Sequence, residues 1–107
     1  MNQYLYQIQL NRIEILSEGP TDEEASHLSG HAEYVSQLAD EGVVLLAGRT
    51  QTADPDGFGI VIFAAESDEA AQEIVDNDPA IKNEVMRAAL FPYKIAFTSL
   101  RGIPEIA

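Results

Sequence analysis

Hydrophobic residues alternate with polar residues near the amino terminus, and this pattern predicts a β-strand over residues 4–10. A period of two is typical of a strand with one buried face. Ile13 and Ile15 could extend this strand until Ser17-Glu18-Gly19-Pro20 interrupts the pattern. The apolar positions of one parity are Tyr4, Tyr6, Ile8 and Leu10.

A helix is predicted to follow, from Thr21 to the glycine at position 42. Thr21 precedes Glu24 by three residues, which is the spacing of a capping box at a helix start. Gly42 suits the position that ends a helix, because glycine adopts the left-handed conformation at little cost. The apolar residues that recur at helical spacing are Ala25, Leu28, Ala32, Val35 and Ala39.

Two further strands are predicted in the middle of the chain. The first covers Val43 to Ala47, a short apolar run that precedes Gly48. Asp54-Pro55-Asp56-Gly57 has the residues of a turn, and a strand from Phe58 to Ala65 follows it. Because this strand is apolar at both parities, we expect both of its faces to be covered.

The last third of the chain predicts two short helices and a strand. Ser67 is suited to cap a helix that carries Ala70, Ala71, Ile74 and Val75, and Asp78-Pro79 is suited to open a shorter helix through Ile81 and Val85. The final strand is predicted where Tyr93, Ile95 and Phe97 alternate with Lys94, Ala96 and Thr98. The tail over residues 102–107 is expected to be loosely held.

The order strand, helix, strand, strand, helix, strand predicts the ferredoxin-like βαββαβ arrangement, an α+β fold with a four-stranded antiparallel sheet. Two helices can cover only one face of such a sheet. The apolar segments Val43–Leu46 and Phe58–Ala65 therefore leave a second face to be buried. We expect a homodimer, or a larger assembly of such dimers, in which these sheet faces meet.

Composition narrows the classes of function. The 107 residues suit a single domain over residues 1–107, and 18 acidic against 6 basic residues give a net charge of −12. Such a charge repels phosphate backbones and anionic lipid, so we expect no nucleic acid partner and no membrane association. The chain has no cysteine, which excludes disulfides and thiol catalysis. With no signal-peptide pattern or membrane span in the sequence, we expect a cytoplasmic protein.

The candidate chemistry depends on two histidines, His27 and His31. Histidine can move a proton near neutral pH, and His31 lies with Tyr34 on the flank of the predicted apolar stripe. A structural histidine packed at the helix edge is the alternative. The spacing of His27 and His31 suits half of a metal site, but no third ligand is evident, so we expect no metal. Arg49 could hold a substrate oxygen or an anionic group, or it could form a surface ion pair.

Four segments resemble the YciI-like (YCII-related) family of dimeric α/β-barrel proteins over roughly residues 3–98. They are His31, Asp40-Glu41-Gly42 with Leu45-Leu46-Ala47-Gly48, Ser67-Asp68-Glu69-Ala70-Ala71, and Asp76-Asn77-Asp78-Pro79. The resemblance implies a ferredoxin-like fold, dimerisation through the sheets, and a cleft in which a histidine and an aspartate form an acid/base pair. Those positions match His31 and Asp78, which are therefore the candidate catalytic residues.

The chain departs from the family pattern at three positions. Family members often carry an arginine where this chain has Leu28, an aromatic residue where it has Ala80, and a proline where it has Arg49. One characterised branch removes chloride from a hydroxylated aromatic compound, but these departures prevent us from carrying over the substrate.

The predicted function is a small acid/base enzyme of the isomerase, lyase or dehydrohalogenase type. It would act on a small organic molecule through His31 and Asp78, with Tyr34 or Arg49 binding an oxygen of the substrate. No cofactor is required, since proton transfer needs only positioned acids and bases. The alternative is a non-catalytic ligand-binding or assembly module that keeps the dimeric barrel.

Overall fold

The computed structural model describes residues 1–104, which form one antiparallel sheet with helices on one side. The strands are β1 (Asn2–Leu10), β2 (Val44–Arg49), β3 (Gly59–Ala65) and β4 (Met86–Pro92), and the helices are α1 (Ile15–Glu18), α2 (Asp22–Asp40), α3 (Asp68–Asp76) and α4 (Pro79–Lys82). The strand order β2-β3-β1-β4 places β1 and β3 in the centre of the sheet. The predicted α+β ferredoxin-like fold is confirmed.

The long helix α2 begins as its sequence predicts. The Thr21 hydroxyl accepts a hydrogen bond from the Glu24 amide at 3.1 Å, and the Glu24 carboxylate accepts one from the Thr21 amide at 2.8 Å. Gly42 follows the helix with a φ of +79°, a conformation that favours glycine. Over residues 1–104, neither α2 nor any other helix combines the length and the apolar character needed to cross a membrane.

The last strand was predicted in the wrong place. We expected it over residues 93–98, but β4 is Met86–Pro92 and pairs with β1 from Leu10↔Met86 to Tyr4↔Pro92. Apart from Phe91, the residues of this segment are not the β-branched or aromatic types that are enriched in strands, so local propensity did not indicate a strand here. Backbone pairing with the central strand β1 overrides that preference. Residues 93–99 alternate as a strand would but have no regular secondary structure.

Several other boundaries also differ from the predictions, and β2, for example, ends at Arg49 instead of Ala47. Ile15 does not extend β1, because it begins the short helix α1. The helix that starts after Asp78 ends at Lys82 instead of continuing through Val85. Glu84 has a φ of +60°, and the Val85 amide donates to the Ala80 carbonyl at 2.9 Å, so the chain turns sharply into β4. The predicted loose tail lies partly outside the described residues, which end at 104.

The core lies between the sheet and the helices. Alternate residues of β1 and β3 are buried on this side, and the Phe63 ring packs against the rings of Tyr4 and Tyr6 with centroid distances of 5.7 Å. The residues of opposite parity form the other face, which no described helix covers. We call this the open face; its apolar members are Leu5, Leu46, Ile60, Ile62, Ala64, Ala89 and Phe91.

Candidate active site

Asp78 is the one charged side chain in the described part of the chain that is completely buried. It occupies the N-cap of α4, and its Oδ1 atom accepts a hydrogen bond from the Ala80 amide at 3.0 Å. Asp-Pro is a favoured start for a helix, because aspartate caps the free amides and proline needs none. The cap uses one carboxylate oxygen, so Oδ2 remains available for other donors.

His31 supplies one of those donors. Its Nδ1 atom lies 2.6 Å from Asp78 Oδ2, which is a short hydrogen bond between side chains 47 residues apart in sequence. An ionised carboxylate can only accept, so Nδ1 carries the hydrogen and Nε2 is left to accept a proton. The His31 side chain is 17% exposed, whereas that of Asp78 is fully covered. The structure thus brings the two predicted catalytic residues together, with the carboxylate behind the imidazole.

Gly30 explains how α2 comes so close to the start of α4. A Cβ atom at this position would lie 3.1 Å from Cβ and 3.3 Å from Cγ of Pro79. Any larger residue would therefore push the two helices apart by a few tenths of an ångström. The neighbours of this glycine and proline are His31 and Asp78, so the glycine permits the short distance between them.

Tyr6 is a further hydrogen-bond partner of Asp78, and the sequence analysis did not identify it as a site residue. Its hydroxyl donates to Asp78 Oδ2 at 3.0 Å, and the side chain is fully buried. Burial, together with the charge and hydrogen bond of Asp78, raises the pKa of Tyr6 far above its usual value, so the phenol stays protonated and acts as a donor. The sequence did contain a signal for this contact, because a tyrosine on the buried face of a strand needs a hydrogen-bond partner for its hydroxyl.

A cavity of about 780 Å³ lies beside His31. It is bounded by α1, by one side of α2, and by the ends of β2 and β3 with the loop between them. Most of its walls are apolar, which is common for small-molecule sites. The apolar side chains that line it include Leu16, Leu28, Val35, Phe58 and Met86.

The two predicted substrate-binding residues have different surroundings. Arg49 ends β2 opposite Gly59 and lines the same cavity as His31. Tyr34 directs its hydroxyl to the Ile74 carbonyl at 2.7 Å, and it is not among the lining residues. Burial raises the pKa of Tyr34, and the charge of Asp78 raises it further. Its visible role is to join α2 to α3.

His27 does not join this site. Its Nε2 atom lies 3.8 Å from the carboxylate of Glu23, one turn earlier on α2. Within residues 1–104, no three side chains of the His, Cys, Asp or Glu type come together as metal ligands would. The spacing of His27 and His31 along α2 is therefore not accompanied by a third described ligand.

Comparisons with known proteins agree with this architecture. A family model described as the YCII-related domain matches residues 8–93. Among solved structures, the chain is similar to 5-chloro-2-hydroxyhydroquinone dehydrochlorinase (TftG) from Burkholderia phenoliruptrix AC1100, solved in complex with 2,5-dihydroxybenzoquinone. The TM-score is 0.60 at 18% identity, with 85% of this chain and 93% of that chain covered. At this identity the likeness shows the fold alone. The curated proteins contain no significant match.

Proposed function

Because the chain belongs to the YCII-related family, we propose that it is an enzyme that moves a proton on a small organic molecule, with His31 as the general base. The reaction class is elimination or isomerisation. The observation that carries the proposal is the 2.6 Å bond from His31 Nδ1 to a buried carboxylate, at the wall of a cavity. Such a bond orients the ring and leaves Nε2 free for substrate.

In an elimination, His31 Nε2 takes a proton from a C–H or O–H bond of the substrate. The electron pair of that bond forms a new π bond, and the leaving group departs with the pair of its own bond. The proton then passes from Nε2 to water. Asp78 does not touch the substrate in this scheme. It is a positioning residue that holds the imidazole in one tautomer and stabilises the positive charge formed on it.

The dehydrochlorinase with the same fold supports this reaction class and suggests the first compounds to test. Chlorinated hydroquinones, and carbon acids with an enolisable C–H bond, would be incubated with the protein. Chloride release and exchange of hydrogen for solvent deuterium would be followed by ion analysis and NMR. Activity in this panel would identify the class of substrate.

Two histidine variants make the test specific. A positioned general base contributes about 10²- to 10⁴-fold to rate, so we expect His31→Gln to lose at least about 100-fold. His27→Gln is the matched control, because His27 lies on the same helix with no contact to Asp78, and it should keep full activity. Equal activity of wild type and His31→Gln would remove His31 as the base, and no reaction with any compound would favour the ligand-binding or assembly module instead.

A further inference from the structure

In the described part of the chain, Arg49 is the one arginine or lysine that lines this cavity. Within the described chain, no carboxylate makes an ion pair with it. By contrast, Arg12 holds Glu24 through two hydrogen bonds of 2.9 and 2.6 Å. The other basic residues without an ion pair to a described residue are Lys82, Arg87, Lys94 and Arg101, and none of them lines the cavity. Arg49 therefore combines a guanidinium that no described carboxylate neutralises with a position at the cavity wall.

The remaining charges at the wall limit what Arg49 can bind. Asp54 also lines the cavity, and its Oδ1 atom accepts a hydrogen bond from the Asp56 amide at 3.0 Å. A single guanidinium in a cavity that also holds a carboxylate, in a chain of net charge −12, offsets one negative charge but not two. A planar group with two oxygens matches the fork of a guanidinium. A carboxylate meets both conditions, whereas a phosphate dianion fits the fork but carries a second negative charge that Arg49 does not offset.

We propose that the cavity binds small, mainly apolar molecules that carry one carboxylate, with Arg49 pairing with that group. Leu28, Val35 and Phe58 provide apolar walls for the rest of the molecule. The carboxylate anchors one end of the ligand while the reacting bond faces His31. Only the part of this inference that places the reacting bond against His31 rests on the proposed function. The anion site itself requires Arg49 and the cavity, and it does not require His31 to be a base.

The test compares an aromatic acid with its neutral ester. Binding of 2,5-dihydroxybenzoate and methyl 2,5-dihydroxybenzoate would be measured by calorimetry or NMR titration. Charge-assisted hydrogen bonds are the strong ones in proteins, and their loss weakens binding about 10- to 100-fold. We therefore expect the wild type to prefer the acid by at least about 10-fold.

Three variants separate the possible causes. Arg49→Gln should lose the preference for the acid, while Arg101→Gln should keep it, because Arg101 lies outside the cavity. His31→Gln should also keep the preference, even though the proposed function predicts that it loses turnover. Equal binding of acid and ester, a preference that survives in Arg49→Gln, or no binding of the acid at about 1 mM would overturn the carboxylate site. Each of these results leaves the test of His31 as a base unaffected.

Discussion

Replacing Asp78 with asparagine should reverse the hydrogen bond to His31 while the helix cap survives. In the wild type, the carboxylate accepts from Nδ1 at 2.6 Å, so Nε2 carries no hydrogen in the neutral ring. An asparagine keeps its carbonyl oxygen on the Ala80 amide, because asparagine caps helices as well as aspartate does. Its NH₂ group then takes the place of Oδ2 and donates to Nδ1. The hydrogen of the neutral ring moves to Nε2, where it blocks the proposed base.

The magnitudes follow from the three hydrogen bonds of Asp78. In Asp78→Asn the helix cap is kept, so no stability is lost there. The buried Tyr6 hydroxyl, however, lies 3.0 Å from what is now an NH₂ group and loses its acceptor. An unsatisfied buried donor costs about 1–3 kcal/mol, which a domain stable by about 5–15 kcal/mol tolerates. Asp78→Ala would lose the cap as well and cost about 2–4 kcal/mol. In a Ser-His-Asp triad, the same change from carboxylate to amide slows turnover by about 10⁴-fold through the wrong tautomer, so we expect a loss of about 10²- to 10⁴-fold.

The assay reads the tautomer directly and needs no substrate. Nitrogen-15 NMR of the imidazole, well above the pH at which the ring is charged, distinguishes a protonated Nδ1 from a protonated Nε2. Urea unfolding gives the change in stability of each variant. Tyr6→Phe is the control, because it removes the hydroxyl from the same carboxylate without changing the acceptor that His31 faces. It should lose some stability but keep the Nδ1–H tautomer and most of the turnover.

The result that would refute the reasoning is an Asp78→Asn protein in which Nδ1 still carries the hydrogen. Undiminished turnover in a folded Asp78→Asn variant would equally remove Asp78 from the mechanism. If Tyr6→Phe shifted the tautomer as strongly as Asp78→Asn does, general loosening of the site would explain both. The pair of variants therefore separates a specific role of the carboxylate from an effect on packing.

Two further predictions concern the dimer and the response to acid. We propose that two copies meet through the open face, so light scattering of Ile62→Lys should show a monomer of 11.7 kDa. The control Leu100→Lys lies outside the sheet and should remain a dimer. A monomeric wild type would contradict the proposal. Hydrogen bonding to Arg12 lowers the pKa of Glu24 to about 2, from an ordinary value of 4.5. The stabilisation by ionised Glu24 is thus fully present above pH 4.5 and is lost as the pH falls towards 2. In urea unfolding, the stability difference between wild type and Glu24→Gln should shrink over that range, and a constant difference would refute this assignment.

Much of the architecture was readable from local sequence. Period-two alternation at Tyr4, Tyr6 and Ile8 identified β1 and its buried face. The capping box of Thr21 and Glu24 and the N-caps of the later helices were predicted at the positions where the structure has them. These features depend on bonds within a few residues, so the residues that form them are neighbours in the chain. The family resemblance, now confirmed, named His31 and Asp78 as a pair.

Other features needed the folded chain. Met86–Pro92 became a strand because β1 offers it a backbone partner, although Phe91 is its only residue of a type enriched in strands. The third partner of Asp78 is Tyr6, 72 residues away, and the approach of α2 to α4 depends on the absence of a side chain at Gly30.

The sequence by itself determined which residues can cap, alternate and carry a proton, because those properties belong to a side chain and its near neighbours. Only the tertiary structure decided that one oxygen of Asp78 serves the helix cap while the other faces His31 and Tyr6. It also placed Arg49 at the wall of the cavity beside His31 and directed Tyr34 to a backbone carbonyl. Contacts of this kind join residues far apart in the chain, and they form only when the packing of the sheet against the helices fixes the distances between them.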